Sequence, residues 1–257
     1  MPVSSTVNKQ GSSDTDGAAL PINELFYSLQ GEGKLAGTPS VFVRTSGCNL
    51  RCWFCDSYHT SWEPMHAAMS IDEIVEKVRS YNSANHIVLT GGEPFIHDQV
   101  VDLINRFDDL NYHITVETNG TIHRNASIDL VSISPKLASS APTAERDPIG
   151  DGEWKDRHDD RRINLDALGA LVDDYNTQLK FVVTGSEDMV EIESIVSDIR
   201  SVTSSQVCDS DVLLMPEGTN QKDLADRQTK VADLAMEYGY RYTSRLHVDL
   251  WDDAPET

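Results

Sequence analysis

From residue 22 almost to its end, the chain alternates between short apolar, β-branched runs and longer stretches whose apolar positions recur every three or four residues. The first pattern is that of strands buried on both faces and the second that of helices with one apolar side, so the chain reads as repeated βα units around a parallel sheet. Candidate strands are 24–28 (ELFYS), 40–45 (SVFVRT), 86–90 (HIVLT), 113–118 (HITVET), 130–134 (LVSIS), 179–183 (LKFVV), 212–216 (VLLMP) and a last one near 241–247 (RYTSRLH). The stretch SIDEIVEKVRSYN opens on Ser70 with Glu73 three residues later, a capping box, and gathers Ile71, Ile74, Val75 and Val78 on one side. DQVVDLINRF, INLDALGALVDDYN, EDMVEIESIVSDIR and KDLADRQTKVADLAMEYG repeat that design. Eight full βα units usually span about 250 residues. Once a leader and a long excursion are set aside this chain is short for that, and the expected α/β fold is an incomplete βα barrel with fewer helices than strands.

Residues 1–21 are rich in Ser, Gly, Asp and Thr without periodicity, which predicts a disordered leader ahead of one domain over 22–257. Residues 144–162 (AERDPIGDGEWKDRHDDRR) are charged and aperiodic, and read as a surface excursion, a tolerated insertion rather than a cover over a ligand. No apolar run approaches the roughly 18 residues of a membrane span, and no basic start leads into an apolar stretch, so a cytoplasmic chain is expected. The formal net charge of −21, from 42 Asp plus Glu against 21 Lys plus Arg, repels phosphate backbones and favours a small-molecule ligand over nucleic acid. The acid is spread evenly (DDL, DDYN, RHDD, WDDAPE), as on proteins of a high-salt cytoplasm.

Three of the four cysteines fall within eight residues, at Cys48, Cys52 and Cys55 of SGCNLRCWFCDS (46–57). The spacing C-x3-C-x2-C lets one loop turn three sulfurs toward one centre. A disulfide framework does not suit it, because three neighbours cannot pair evenly and a cytoplasmic chain is kept reduced. Structural zinc takes four ligands; Cys208 is distant, and His59 is the residue that would complete such a site. An iron–sulfur cluster also normally takes four thiolates, so three leave one iron with an open position, as a catalytic metal keeps one for substrate. Further on, TGGEP (90–94) follows HIVLT directly, and its paired glycines allow a ligand close to the backbone at the strand's C-terminal end.

C-x3-C-x-aromatic-C, with Phe54 as the aromatic, together with GGEP resembles the radical S-adenosylmethionine (SAM) enzymes. The resemblance implies a partial βα barrel of the radical SAM type, a [4Fe-4S] cluster on Cys48, Cys52 and Cys55, and SAM on the open iron, beside Phe54, Cys55 and Asp56, with Gly92 and Glu93 at its amino group. Reading outward, FYSLQGEG (26–33), VFVRTSGCNLRCWFCDS (41–57), VETNGT (116–121), SISPK (132–136), LKFVV and RLH (245–247) are similar to the 7-carboxy-7-deazaguanine synthase family over most of residues 23–250. That family converts 6-carboxy-5,6,7,8-tetrahydropterin to 7-carboxy-7-deazaguanine with loss of ammonia, on the route to queuosine and archaeosine, by a SAM-derived radical that is regenerated. The resemblance further implies Leu29, Gln30 and Gly31 as a substrate loop, and Ser134, Pro135 and Lys136 as a SAM-binding segment. Met215, Pro216, Glu217 and Gly218 would form another SAM turn. Magnesium would sit at Ser57, where the family usually has Thr. A flavodoxin or ferredoxin donor and a homodimer are implied likewise.

The residue chemistry fits such a substrate. Arg44 offers a guanidinium fork to a carboxylate, and Glu117, near the end of an apolar strand, can accept from the guanidine-like edge of a pterin. Gln30, Thr90, Asn119 and His247 could complete the amide and amine contacts. The alternatives are an activase that places a glycyl radical on a partner protein and a non-catalytic iron–sulfur or zinc protein. The charge alone yields a prediction: self-repulsion relieved by screening should raise the melting temperature between low and molar salt, and an unchanged melting temperature would contradict it.

Overall fold

The computed structural model describes residues 19–150, 152–252 and 254. Its strands are β1 (Ala19–Leu29), β2 (Pro39–Thr45), β3 (Ala67–Ser70), β4 (His86–Gly91), β5 (His113–Thr118), β6 (Leu130–Ile133), β7 (Thr177–Val183), β8 (Val212–Pro216) and β9 (Arg241–Tyr242). The helices are α1 (Tyr58–Ser61), α2 (Ile71–Arg79), α3 (Val100–Asp108), α4 (Lys155–Arg161), α5 (Leu165–Asp174), α6 (Asp188–Val202), α7 (Gln221–Tyr238) and α8 (Leu246–Trp251). One sheet runs β3-β1-β2-β4-β5-β6-β7-β8-β9, with β1 antiparallel to β2 and β3 and every later neighbouring pair parallel. With β3 and β9 as its two edges the sheet stays open, which is the incomplete βα barrel expected.

Side chains alternate across a strand, and here the alternation separates two chemistries. Val41 and Val43, Ile87 and Leu89, Ile114 and Val116, Leu179 and Phe181 all join the main core, where Leu103, Ile104 and Phe107 of α3 and Ile192, Val196 and Ile199 of α6 cover them. The intervening positions form the other face, and it is largely polar: Arg44, Thr90, Glu117, Ser132 and Lys180 line a cavity. A smaller apolar cluster of Phe26, Phe42 and Val88 lies on that side. The helices are set by local signals as well as by the apolar face. The Ser70–Glu73 box caps α2, and Gly239 ends α7 at φ +74°, a left-handed conformation that glycine adopts without penalty.

Four expectations need correction. The first strand opens at Ala19, with Leu20 fully buried against Met69 of β3, so residues 19–21 belong to the sheet; the rest of the expected leader, residues 1–18, lies outside the described residues. Strand β3 is an addition to the expected strands: its four residues, AAMS, are too few and lack the β-branched and aromatic residues that mark a strand. The last strand is only Arg241–Tyr242, after which the chain turns into α8, because the Arg245 guanidinium reaches back to the Gly218 carbonyl and to Asp56. Finally, the 144–162 excursion contains α4 and buries His158 completely. Replacing Ser70 by Ala removes the cap and should cost about 1 kcal/mol in a denaturant titration, whereas no change would mean that packing alone sets the start of α2.

Candidate functional site

The cavity opens at the C-terminal ends of the parallel strands, the position where such sheets expose loops and unpaired backbone groups. Strand register puts Arg44 beside Thr90 and Glu117 beside Ser132, so one polar row crosses four strands. Glu117 is held by two donors, Gln30 Nε2 at 3.1 Å and Thr90 Oγ1 at 2.9 Å, with Lys180 Nζ at 3.9 Å. Arg44 pairs through Nε with Glu24 (2.8 Å) and donates from Nη1 to Ser57 Oγ (2.6 Å). The guanidinium is thus held by an ion pair and still lines the cavity.

The loop after β2 brings Cys48, Cys52 and Cys55 into the cavity wall together. The Cys48 thiol accepts from Leu50 N (3.4 Å) and the Cys55 thiol from Ser61 Oγ (3.2 Å). Burial raises all three thiols, Cys52 to about 12, so they remain protonated unless a metal draws the proton off. Cys208 is exposed beside β8, far from this loop, and His59 lies in α1 outside the wall. Among the described residues no three His, Cys, Asp or Glu side chains close on a single ion.

Opposite the cysteines lies an ion network that is largely buried at Glu32, Lys180 and Arg245 and open to solvent at Asp56. Glu32, in the turn after β1, pairs with Lys180 and with Arg245 Nε (3.2 Å), and Arg245 pairs in turn with Asp56 of the cysteine loop. Burial alone would raise the Glu32 carboxyl, but Lys180 and Arg245 outweigh it and hold the pKa at about 2. Asp56 is likewise held well below the usual carboxylate range by Arg245 and Arg44 against the effect of burial. Burial lowers the pKa of His247, which packs so closely on Gly31 that a Cβ there would stand 1.9 Å from its Nδ1.

All eight residues expected at the substrate (Leu29, Gln30, Gly31, Arg44, Thr90, Glu117, Asn119 and His247) line this one cavity. So do Phe54, Asp56, Ser57, Gly92, Ser134, Lys136, Met215 and Glu217, whereas Glu93, Pro135, Pro216 and Gly218 stand behind the wall. Glu93 is fully buried and accepts from Phe95 N, Thr118 Oγ1 and Asn119 N, so it braces the turn after β5; burial raises its pKa to about 7. Glu32, Lys180 and Arg245 carried no predicted role, though each sits in a motif already singled out (QGEG, LKFVV, RLH). The usable signal was a lysine in the middle of an otherwise apolar strand.

The Radical SAM superfamily model matches residues 42–157, a stretch that contains the cysteine loop and TGGEP. A 7-carboxy-7-deazaguanine synthase of Halobacterium salinarum is 69% identical over the whole of both chains, and one of Rhodopirellula baltica is 36% identical over 96% of this chain and 93% of its own. The crystal structure of QueE from Escherichia coli superposes with a TM-score of 0.64 at 22% identity, covering 89% of this chain and 95% of that one. This chain belongs to the 7-carboxy-7-deazaguanine synthase family. Membership of the radical SAM superfamily implies a [4Fe-4S] cluster and SAM, and the three thiols sharing one cavity wall fit that cluster. No described helix is long and apolar enough to cross a membrane.

Two predictions follow from the geometry. The Glu32 carboxylate stabilises the fold above its unfolded pKa near 4.5, and that contribution is lost as pH falls toward about 2. Glu32→Gln should therefore lower stability at pH 7 and flatten the loss between those values, and an unaltered acid limb would remove Glu32 from the network. Gly31→Ala should displace His247 and raise the KM for substrate while the cluster's absorbance stays unchanged; an unaltered KM would contradict it.

Proposed function

We propose that the chain converts 6-carboxy-5,6,7,8-tetrahydropterin to 7-carboxy-7-deazaguanine with release of ammonia. The carrying observation is the polar row from Arg44 to Glu117, which stands in the same cavity wall as three cysteine thiols. When bound, the reduced cluster and SAM supply a 5′-deoxyadenosyl radical that takes hydrogen from the substrate carbon bearing the carboxylate and later returns it. Cys48, Cys52 and Cys55 hold the cluster. SAM would be held by Phe54, Asp56, Gly92, Ser134, Lys136, Met215 and Glu217, with Glu93, Pro135, Pro216 and Gly218 shaping those turns from behind.

The chain's own task is orientation. Arg44 meets the substrate carboxylate, and Glu117, already aimed by Gln30 and Thr90, accepts from the guanidine-like edge. Asn119 and the Leu29–Gly31 turn fix the ring amide. His247 carries no hydrogen bond to a described residue and is kept neutral by burial, so a ring nitrogen is available to the departing amine. Ser57 Oγ, with Asp56 Oδ1 3.2 Å away, offers hard oxygen donors for magnesium between protein and substrate carboxylate. A flavodoxin or ferredoxin would supply the electron to a cytoplasmic homodimer.

The test is anaerobic turnover of reconstituted, reduced protein with SAM, magnesium and the pterin in high salt, followed by mass spectrometry. 7-Carboxy-7-deazaguanine with SAM undepleted is expected; 5′-deoxyadenosine without that product would move the search to another substrate. Arg44→Ala should keep SAM cleavage but lose product by about 30–150-fold, the scale of a lost charge-assisted contact of about 2–3 kcal/mol, and unchanged turnover would remove the carboxylate assignment. Ser57→Ala should weaken the dependence of rate on magnesium; an identical magnesium response would locate the ion elsewhere.

A further inference from the structure

One fully buried imidazole has no part in the chemistry above: His158, on α4, in the excursion that reads as a tolerated insertion. Both of its ring nitrogens are used. The Ser140 hydroxyl donates to the Leu137 carbonyl (2.6 Å) and therefore meets His158 Nε2, 2.9 Å away, as an acceptor. The ring proton thus sits on Nε2, and Nδ1 accepts the peptide N–H of Arg51 at 3.2 Å. Ser140 also takes the peptide N–H of Trp53 on its carbonyl (3.1 Å), and the Trp53 indole donates to the Ser139 carbonyl (2.8 Å). Arg51 and Trp53 are the two neighbours of Cys52, so the peptide groups on either side of that cysteine end on one histidine–serine pair. From the other side, Trp62 Nε1 donates to the Cys52 carbonyl at 2.9 Å.

The same excursion grips the loop's side chains. The Arg51 guanidinium lies 4.3 Å from the centre of the Trp154 ring, and that of Arg146 lies 5.2 Å from the Trp53 ring. At its far end, Arg162 donates to the Lys136 carbonyl (3.0 Å) and pairs with Glu191 of α6 at 2.6 Å. An insertion that merely avoided harm would stay in solvent. This one buries a polar ring under the cysteine loop and satisfies both of its nitrogens there, an arrangement that fixes one conformation and is costly to leave half made.

We propose that His158 is a positioning residue for the cysteine loop: by accepting from Arg51 N it holds Cys52 in the conformation in which three thiols face one cavity, while its contact with Ser140 fixes which ring nitrogen carries the proton. The loop is then ordered before iron arrives, and the bound group is held by a conformation that need not be paid for at binding. The proposal rests on the reading that these cysteines hold a cluster.

The test compares His158→Ala, His158→Asn and His158→Gln in full-length protein after anaerobic reconstitution. The Asn oxygen takes the place of Nδ1 and can still accept from Arg51 N, whereas the Gln amide nitrogen keeps the Ser140 contact and loses the acceptor. The readouts are iron content, the rate of iron release to a chelator, and the electron paramagnetic resonance spectrum of the reduced cluster with and without SAM. The Ala and Gln variants should release iron about 10–100-fold faster, the usual consequence of losing a ligand's outer support, and should alter the spectrum, while Asn stays near wild type. Release at the wild-type rate with an unchanged spectrum in Ala and Gln would overturn the proposal. So would an Asn variant as impaired as Ala when their apo forms melt at the same temperature. If Ala fails to fold, the Asn and Gln comparison decides. A wild-type protein that takes up no iron would instead overturn the cluster reading itself.

Discussion

A lysine ammonium in the middle of a buried strand is tolerable only when its charge is matched, and the site is organised around that requirement. Lys180 of β7 meets Glu32 from the turn after β1, Glu32 meets Arg245 ahead of α8, and Arg245 meets Asp56 of the cysteine loop. Four segments far apart in sequence are thereby drawn round one cavity. The sheet itself is open, with β1 near one edge and β9 at the other. Polar contacts nevertheless carry the turn after β1 across to the far strands: Gly33 N donates to Thr243 Oγ1 (2.8 Å), Lys34 N to Gln178 Oε1 (2.8 Å), and Leu246 N to the Gly31 carbonyl (2.9 Å). An incomplete barrel is closed at its mouth by hydrogen bonds and charge rather than by strand pairing.

The two faces of the sheet divide the work. The helix-covered face carries the apolar burial that stabilises the domain, which leaves the other face free to present charge at fixed spacing. Around the cavity the acidic groups are met by neighbours: Glu117 by Gln30 and Thr90, the fully buried Glu93 by Thr118 and two peptide groups, and the exposed Asp56 by Arg245. Such pairing leaves side chains with few alternative positions. A substrate entering the cavity meets donors and acceptors that are already aimed, which is the condition for orienting a ring while excluding competing reactions of a radical.

Much of this was legible in the sequence, for different reasons at different places. Strands such as 86–90 and 113–118 announce themselves because an apolar run has to be buried, and the cap at Ser70 because Glu73 stands three residues on. The cysteine spacing and TGGEP were legible because chemistry restricts which residues can serve there. What stayed hidden depends on contacts between distant segments. Nothing local marks Glu32, Lys180 and Arg245 as partners, since pairs separated by 148 and 189 residues, Lys180 with Glu32 and Arg245 with Asp56, leave no periodic trace. Glu93 accepts from Thr118 and from the peptide groups of Phe95 and Asn119, contacts that its place in TGGEP does not announce. The 144–162 excursion looked dispensable because its charged, aperiodic run gives no hint that His158 points inward.

The most direct measurement is an anaerobic crystal structure of the protein holding its cluster, SAM and 6-carboxy-5,6,7,8-tetrahydropterin. The account predicts a pterin lying across the polar row, with its carboxylate at Arg44 and Ser57 and its guanidine-like edge at Glu117. A pterin reversed in the cavity, or bound away from it while Arg44 keeps only its contacts to Glu24 and Ser57, would contradict it.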